Sequence, residues 1–206
     1  MLASLLTRRG LGLLALALAL PALPRGAAAQ MDTGRAVGFI RAAGDELVAA
    51  INQPGLSAAA RQERVAAILR RTVDIEGVGR FVLGRFWRVA APAEQQEYLR
   101  LFETSLIRNL AGRFGEYQGV RFSLGRTQSR TEDDALVSTV VQRPGQAAFN
   151  LDWRVGDVGG QPRIVDLIAE GTSLRLTQRS EYASVVQRGA GQVSALLVAM
   201  RAQTGR

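Results

Sequence analysis

Residues 73–117 have the sequence VDIEGVGRFVLGRFWRVAAPAEQQEYLRLFETSLIRNLAGRFGEY, and this stretch decides the fold. It predicts a short helix capped by Asp74, a break at Gly84, an aromatic and basic corner, and a long helix beginning near Pro92. Apolar side chains recur along the long helix mostly three or four residues apart, at Tyr98, Leu101, Phe102, Leu106, Leu110, Phe114 and Tyr117. This spacing predicts an amphipathic helix that packs against another layer of the protein.

Two further helices are predicted before this stretch. The first runs from Asp32 to about Ile51 and ends in a turn at Asn52–Gly55. The second follows Ser57, a typical N-cap residue, and continues to about Arg71.

After residue 117 the apolar period falls from about 3.6 to about 2 residues, which predicts β-strands. The predicted strands are 120–124, 135–142, 147–155 and 163–168, with turns at 143–146 and 156–162. Such short links favour an antiparallel meander. Beyond Gly171 the pattern is helical again, in two pieces separated near Gly189 and Gly191. The sequence thus predicts an α+β domain in which the long fourth helix covers one face of a curved four-stranded sheet.

The N-terminus has the features of an export signal. Arg8 and Arg9 precede an apolar run from Leu11 to Leu23, and Ala27–Ala29 provides small residues for cleavage. The paired arginines also fit a twin-arginine signal in part. The run is shorter than the roughly 20 apolar residues that span a bilayer. We therefore expect residues 1–29 to be a signal peptide and residues 30–206 to form a single domain outside the cytoplasm.

The composition excludes several kinds of chemistry for this chain. Its 206 residues carry a formal net charge of +8 and include neither Cys nor His. Without His or Cys, Ser-His-Asp and Cys-His catalysis is impossible, and the commonest transition-metal ligands are missing. All basic residues are arginines, and their scattered positions do not indicate nucleic-acid binding. The positive charge suits an anionic lipid surface or an acidic partner. We expect no catalytic residues, no cofactor and no metal site.

For each polar motif in the sequence, a structural role explains the residues better than a catalytic or ligand-binding role does. Residues 77–79 lack the preceding strand of a phosphate-binding loop. Ser173 fits a helix N-cap better than a nucleophile, and the acidic residues 132–134 fit a solvated hairpin tip better than a calcium loop. Asp166 lies in an otherwise apolar strand, where we expect it to accept hydrogen bonds from the backbone or an arginine. The alternative for Asp166 is a general base in a small-molecule enzyme.

An apolar set of side chains on the short helix, the long helix and the strands forms either a filled core or the wall of a ligand cavity. The apolar set consists of Phe81, Leu101, Phe102, Leu106, Leu110, Phe122, Phe149, Leu151, Trp153, Val165 and Leu167.

Two segments resemble the MlaC-like, toluene-tolerance family of periplasmic phospholipid-binding proteins. The matching residues are Asp74, Val82–Arg88, Pro92–Gln96, Phe102, Leu106, Tyr117, Val165–Leu174, Arg179 and Tyr182. The resemblance spans about 36–197, and the order of helices, meander and helices agrees with it. Arg163 is a departure, because the family usually has Trp before the Val-x-Asp strand.

The resemblance implies a cone-shaped fold similar to nuclear-transport-factor-like domains, with acyl chains held in an apolar cavity walled by the apolar set. It implies a monomeric, noncatalytic periplasmic carrier whose cargo is a phospholipid, or alternatively a polycyclic lipid such as a hopanoid. Its partners would be an inner-membrane ABC transporter with a membrane-anchored lipid-binding subunit, and an outer-membrane lipoprotein–porin complex. Gly84 and Gly171 are candidate hinges for opening the cavity.

Overall fold

The computed structural model describes residues 32–115, 117–129 and 134–205. The predicted signal peptide, the side chain of Phe114, and the acidic residues Glu132 and Asp133 lie outside the described residues. Within the described ranges, no helix combines the length and apolar character that crossing a membrane requires.

Six α-helices and five β-strands form the described fold. The helices are α1 (Thr33–Asn52), α2 (Ala58–Thr72), α3 (Ile75–Leu83), α4 (Pro92–Gly115), α5 (Leu174–Arg188) and α6 (Val193–Thr204). The strands are β1 (Arg121–Ser129), β2 (Asp134–Gln142), β3 (Phe149–Val158), β4 (Gln161–Ala169) and β5 (Thr172–Ser173). A 3₁₀ turn, Gly84–Arg88, joins α3 to the loop before α4.

Local capping explains where several helices begin and end. The N-cap side chains of Ser57, Asp74 and Ser173 each accept a hydrogen bond from a backbone N–H in the first turn of the helix that follows. Gly84 ends α3 with φ 58°, a conformation that favours glycine. The caps and the break predicted from the sequence are therefore confirmed.

The sheet is antiparallel with the order β1-β2-β3-β4-β5, so the α+β meander is confirmed. The two-residue strand β5 was not predicted, and β1 extends beyond the predicted residue 124. The predicted turn at 156–162 was too long. Gly159 and Gly160, with φ 61° and 81°, form a two-residue turn that lets both neighbouring strands continue almost to each other.

The apolar side chains form two clusters instead of one core. The first cluster lies between α1, α2 and the sheet and includes Ile40, Leu69 and Val137. The second lies among α3, α4, α5 and α6 and includes Tyr98 and Leu196.

The helix that covers the sheet is α1, so the prediction that α4 covers it was wrong. Helix α1 packs on β1 and β2, whereas α4 packs chiefly on α2 and α6. Helix α4 is apolar on two sides, because Ile107 and Ala111 belong to the first cluster while Leu101 and Phe102 belong to the second. It therefore lies at the centre of the molecule, between the two clusters.

The outer edge of β4 is paired at both ends but not in the middle. Near one end the backbone N–H of Asp74 donates to the Ile164 carbonyl oxygen at 3.0 Å, and Val73 forms a parallel bridge to Ile164. At the other end β5 pairs with Ile168 and Ala169. Between them lie residues 165–167, here called the edge window, where strand pairing among the described residues involves only β3.

Candidate functional site

A cavity of about 360 Å³ lies between α3, α4, β4 and α5, where the two apolar clusters meet. The edge window of β4 forms one wall of this first cavity. Its apolar lining consists of Val73, Val78, Val82, Phe102, Leu106, Leu110, Ile164, Val165, Leu167 and Leu174. The volume lies within the range of about 300–1,000 Å³ that is typical of small-molecule sites.

Helix α4 lines the first cavity with one apolar and one polar row of side chains. Phe102, Leu106 and Leu110 line the cavity as one row of residues spaced four apart. Ser105 and Asn109 form a second, polar row beside it, and Arg113 continues this row at the same spacing. The cavity is therefore apolar along one side of α4 and polar along the other.

A second cavity of about 200 Å³ adjoins the first, between α4, α5 and α6. The two cavities share a wall of five side chains: Ser105, Asn109, Gln178, Glu181 and Tyr182. We call these five residues the shared wall. The second cavity is completed by Val185, Leu196, Ala199, Met200 and Gln203.

Asp166 is held in a buried network at the edge of the first cavity. It is 6% exposed, and its Oδ2 accepts a hydrogen bond from Ser173 Oγ at 2.6 Å. Its Oδ1 accepts from the backbone N–H of Arg175 at 3.2 Å. The Nε of Arg175 lies 3.3 Å from Oδ2 in an ion pair. The predicted role of Asp166 as an acceptor is confirmed, and the carboxylate joins the end of β4 to the start of α5.

Arg175 brings a positive charge to the cavity wall, and its side chain is only 15% exposed. Its guanidinium lies 4.3 Å from the ring centre of Phe81, and Nη1 donates to the Val165 carbonyl oxygen at 3.4 Å. Burial lowers the pKa of Arg175, with a further lowering from Arg154, while Asp166 opposes it. An arginine nevertheless keeps its proton in proteins, so the group remains cationic. Its Nε has no hydrogen-bond partner among the described residues.

One acidic residue differs from its predicted setting. Asp134, expected at a solvated hairpin tip, is only 7% exposed and forms an ion pair with Arg154. Arg154 Nε donates to Asp134 Oδ2 at 2.7 Å. The reason is that β2 begins at Asp134, which brings this side chain beside β3.

A cluster of aromatic rings stands beside the cavity. Tyr98 stacks on Phe102 at 5.8 Å between ring centres, and Tyr182 meets both rings edge-on. The Tyr98 hydroxyl donates to the Gly79 carbonyl oxygen at 2.9 Å. Burial raises the pKa of Tyr182 to about 12, with a smaller contribution from the charge of Glu181. Burial also raises the pKa of Tyr98.

The structure brings part of the predicted apolar set together at the first cavity. The members that line it are Phe102, Leu106, Leu110, Val165 and Leu167. Leu101 lies in the second cluster, and Leu151 and Trp153 lie in the first. The indole Nε1 of Trp153 donates to Thr139 Oγ1 at 2.9 Å.

The remaining aromatic members have other neighbours. Phe122 packs where Gly44 lacks a side chain on α1. Phe149 lies below the guanidinium of Arg143, and Phe81 packs against the guanidinium of Arg175. None of these three rings is among the residues that line the two cavities.

The sequence did not predict the shared wall, because apolar periodicity does not identify the polar side chains of a lipid site. A signal was nevertheless present. Ser105 and Asn109 are four residues apart and adjacent to Leu106 and Leu110, so all four lie on one side of a helix. No corresponding signal linked them to Glu181, which is brought near only by the packing of α5.

Among the described residues, no group of three or more acidic side chains comes together as a metal site would require.

Comparisons with known proteins agree with this architecture. Residues 41–202 match the family described as MlaC protein. The toluene tolerance protein ttg2D of Pseudomonas putida is 23% identical over 122 residues, a match covering 59% of this chain and 57% of that relative. The chain thus matches little more than half the length of this curated relative.

A solved structure has the same fold. It is the phospholipid-binding protein from Ralstonia solanacearum, determined in complex with a phospholipid. The two structures superpose with a TM-score of 0.72 at 24% identity, covering 83% of this chain and 99% of the other.

Proposed function

Because the chain belongs to the MlaC family, we propose that it is a noncatalytic carrier of a phospholipid. The observation that supports this most directly is the first cavity, which lies between two apolar clusters and has an apolar row of α4 along its length. A site built this way suits acyl chains, because it removes hydrocarbon from water without offering groups that react with it. Asp166, the candidate base, is already engaged by Ser173 and Arg175.

We assign the acyl-chain contacts to the members of the apolar set that line the first cavity: Phe102, Leu106, Leu110, Val165 and Leu167. The other members support the site by packing behind it or elsewhere in the two clusters.

The cellular role proposed here is transport across the periplasm. It rests on the family and on the export signal expected at residues 1–29, with residues 30–206 acting as one lipid-binding domain. The partners proposed are an inner-membrane ABC transporter with its membrane-anchored lipid-binding subunit, and an outer-membrane lipoprotein–porin complex. A hopanoid remains the alternative cargo.

The test is to extract the purified protein with organic solvent and to identify any amphiphile by mass spectrometry. We expect about one phospholipid per protein. In a Leu106→Trp variant the indole narrows the first cavity along the apolar row of α4, so the lipid content should fall about fivefold or more. Val198→Trp is the matched control, because Val198 is 61% exposed on α6 and lines neither cavity.

The possible outcomes test the carrier function, the identity of the cargo and its location in the protein. A wild-type extract without any amphiphile contradicts the carrier proposal, and a hopanoid in the extract replaces phospholipid as the cargo. Equal lipid content in the two tryptophan variants would place the cargo outside the first cavity.

A further inference from the structure

The shared wall is polar although it stands between two partly apolar cavities. Besides the phenol of Tyr182, it carries one hydroxyl, two amides and one carboxylate, from Ser105, Asn109, Gln178 and Glu181. Asn109 and Glu181 are exposed and Gln178 is half-buried, whereas Ser105 is buried. The shared wall is therefore a polar rim, where a charged headgroup can keep its contact with water while the acyl chains are buried.

Ser105 gives the clearest indication of a missing partner. It is 6% exposed and lines both cavities, yet its hydroxyl has no hydrogen-bond partner among the described residues. A buried hydroxyl left unpaired costs about 1–3 kcal/mol. An ester carbonyl oxygen of a glycerolipid would accept this hydrogen bond and would lie where the apolar row of α4 meets the polar row.

Charges of opposite sign occupy different parts of the site. The guanidinium of Arg113 lines the first cavity but not the second, and within the described residues it has no hydrogen bond or ion pair. The carboxylate of Glu181 belongs to the shared wall and accepts a hydrogen bond from Gln178 Nε2 at 3.1 Å. No arginine among the described residues forms an ion pair with Glu181. The anionic and cationic parts of a zwitterion would each find a complementary group.

We propose, building on the carrier function above, that the shared wall, together with Arg113 on the first cavity, binds the headgroup of a zwitterionic phospholipid bearing a primary ammonium group. The ammonium group contacts the carboxylate of Glu181, and the phosphate lies toward Arg113. A primary ammonium donates hydrogen bonds to Glu181 and Asn109, which a trimethylammonium group cannot do. The glycerol of phosphatidylglycerol is uncharged, so it would leave the Glu181 carboxylate without a cation.

The experiment measures which lipid the full-length mature protein takes from mixed vesicles. Delipidated protein is incubated with vesicles of equimolar phosphatidylethanolamine and phosphatidylglycerol with identical acyl chains, and the bound lipids are counted by native mass spectrometry. We expect the wild type to favour phosphatidylethanolamine about threefold, the effect of one solvent-exposed ion pair. In Glu181→Gln the ratio should fall to about one.

Two further variants make the result specific. Glu63→Gln on α2 is the matched control, because the Glu63 side chain is 74% exposed and lines neither cavity; it should keep the wild-type ratio. Arg113→Gln should reduce the loading of both lipids without changing their ratio, because both carry a phosphate. Glu181 and Arg113 are exposed at their positions, so replacement by Gln does not threaten the fold.

A wild-type ratio near one, or an unchanged ratio in Glu181→Gln, overturns the headgroup proposal while leaving the carrier function intact. Loading of neither lipid by the wild type would instead count against the carrier function itself. The two proposals can thus fail independently.

Discussion

At the scale of single residues, burial of the Tyr182 phenol beside the cavity makes the stability of the fold depend on pH. Tyr182 is 8% exposed, and burial raises its pKa to about 12, above the value of about 10 for a phenol in water. The folded protein therefore keeps this proton at pH values where the unfolded chain has released it. Its contribution to stability is complete below pH 10 and is lost as the pH rises from about 10 to about 12.

The first prediction concerns this loss of stability at high pH. Replacing Tyr182 by Phe removes the ionisable group, so the free energy of unfolding should fall less between pH 9 and pH 12 than in the wild type, by about 2–3 kcal/mol. Urea unfolding followed by circular dichroism at several pH values measures this difference. Tyr117→Phe serves as the control, because Tyr117 lines neither cavity. Parallel pH curves for the wild type and Tyr182→Phe would contradict the prediction.

The contact between α1 and β1 depends on one helical glycine. A Cβ atom at Gly44 would lie 2.3 Å from Cζ of Phe122, which is too close for any real side chain. The glycine lets α1 approach the sheet closely at Phe122. Glycine in a helix is about 1 kcal/mol less favourable than alanine, and the close packing of α1 on β1 offsets this cost.

The second prediction compares two glycines of the same helix. Gly44→Ala should destabilise the protein by about 2–3 kcal/mol, because Phe122 or α1 must move. Gly38→Ala should stabilise it by about 0.5–1 kcal/mol, because a Cβ at Gly38 has no atom within 4 Å and alanine favours the helix. Thermal unfolding of both variants tests this, and similar melting temperatures would refute the assigned contact.

Elements governed by local rules were predictable from the sequence. The helix caps at Ser57, Asp74 and Ser173, and the change of period after α4, depend on neighbouring residues, and the structure confirms them. The turn at 159–160 was placed too broadly, because Gly156 and Pro162 also suggest turns while the strands in fact continue through them.

The candidate site was less predictable, because a cavity depends on which elements meet in space. Leu106 and Trp153 look equally suitable in the sequence, yet Leu106 lines the first cavity and Trp153 is packed in the first cluster. Their separation follows from the position of α4 between the two clusters. Periodicity identifies an apolar face, but it does not identify what that face contacts.

At the scale of the whole molecule, the proposed cargo must not leave into water. Transfer of acyl chains to water costs about 0.8 kcal/mol per CH₂, so two long chains cost on the order of 20 kcal/mol. A carrier of this kind releases its lipid only when it contacts an acceptor. Gly84 and Gly171, both with positive φ, lie at the end of α3 and just before β5, and they remain the predicted hinges for such an opening.

The third prediction is that release requires contact. Protein loaded with a fluorescent phospholipid should retain it in buffer, and the rate of loss should increase in proportion to the concentration of added vesicles. Stopped-flow fluorescence measures the rate, and vesicles held behind a dialysis membrane provide the control. Release at the same rate with and without contact would mean that the lipid sits on the surface.

The edge window of β4 has a consequence for how cargo exchange and folding are related. Along residues 165–167, strand pairing among the described residues involves only β3, so movement of α3 or α5 away from this segment breaks no interstrand backbone hydrogen bond. The sheet can therefore stay intact as a rigid frame while one side of the cavity swings outward. Opening on the side of α5 must break the contacts of Arg175 with Asp166 and Val165, so we expect these side-chain contacts, and not the sheet, to set the speed of exchange.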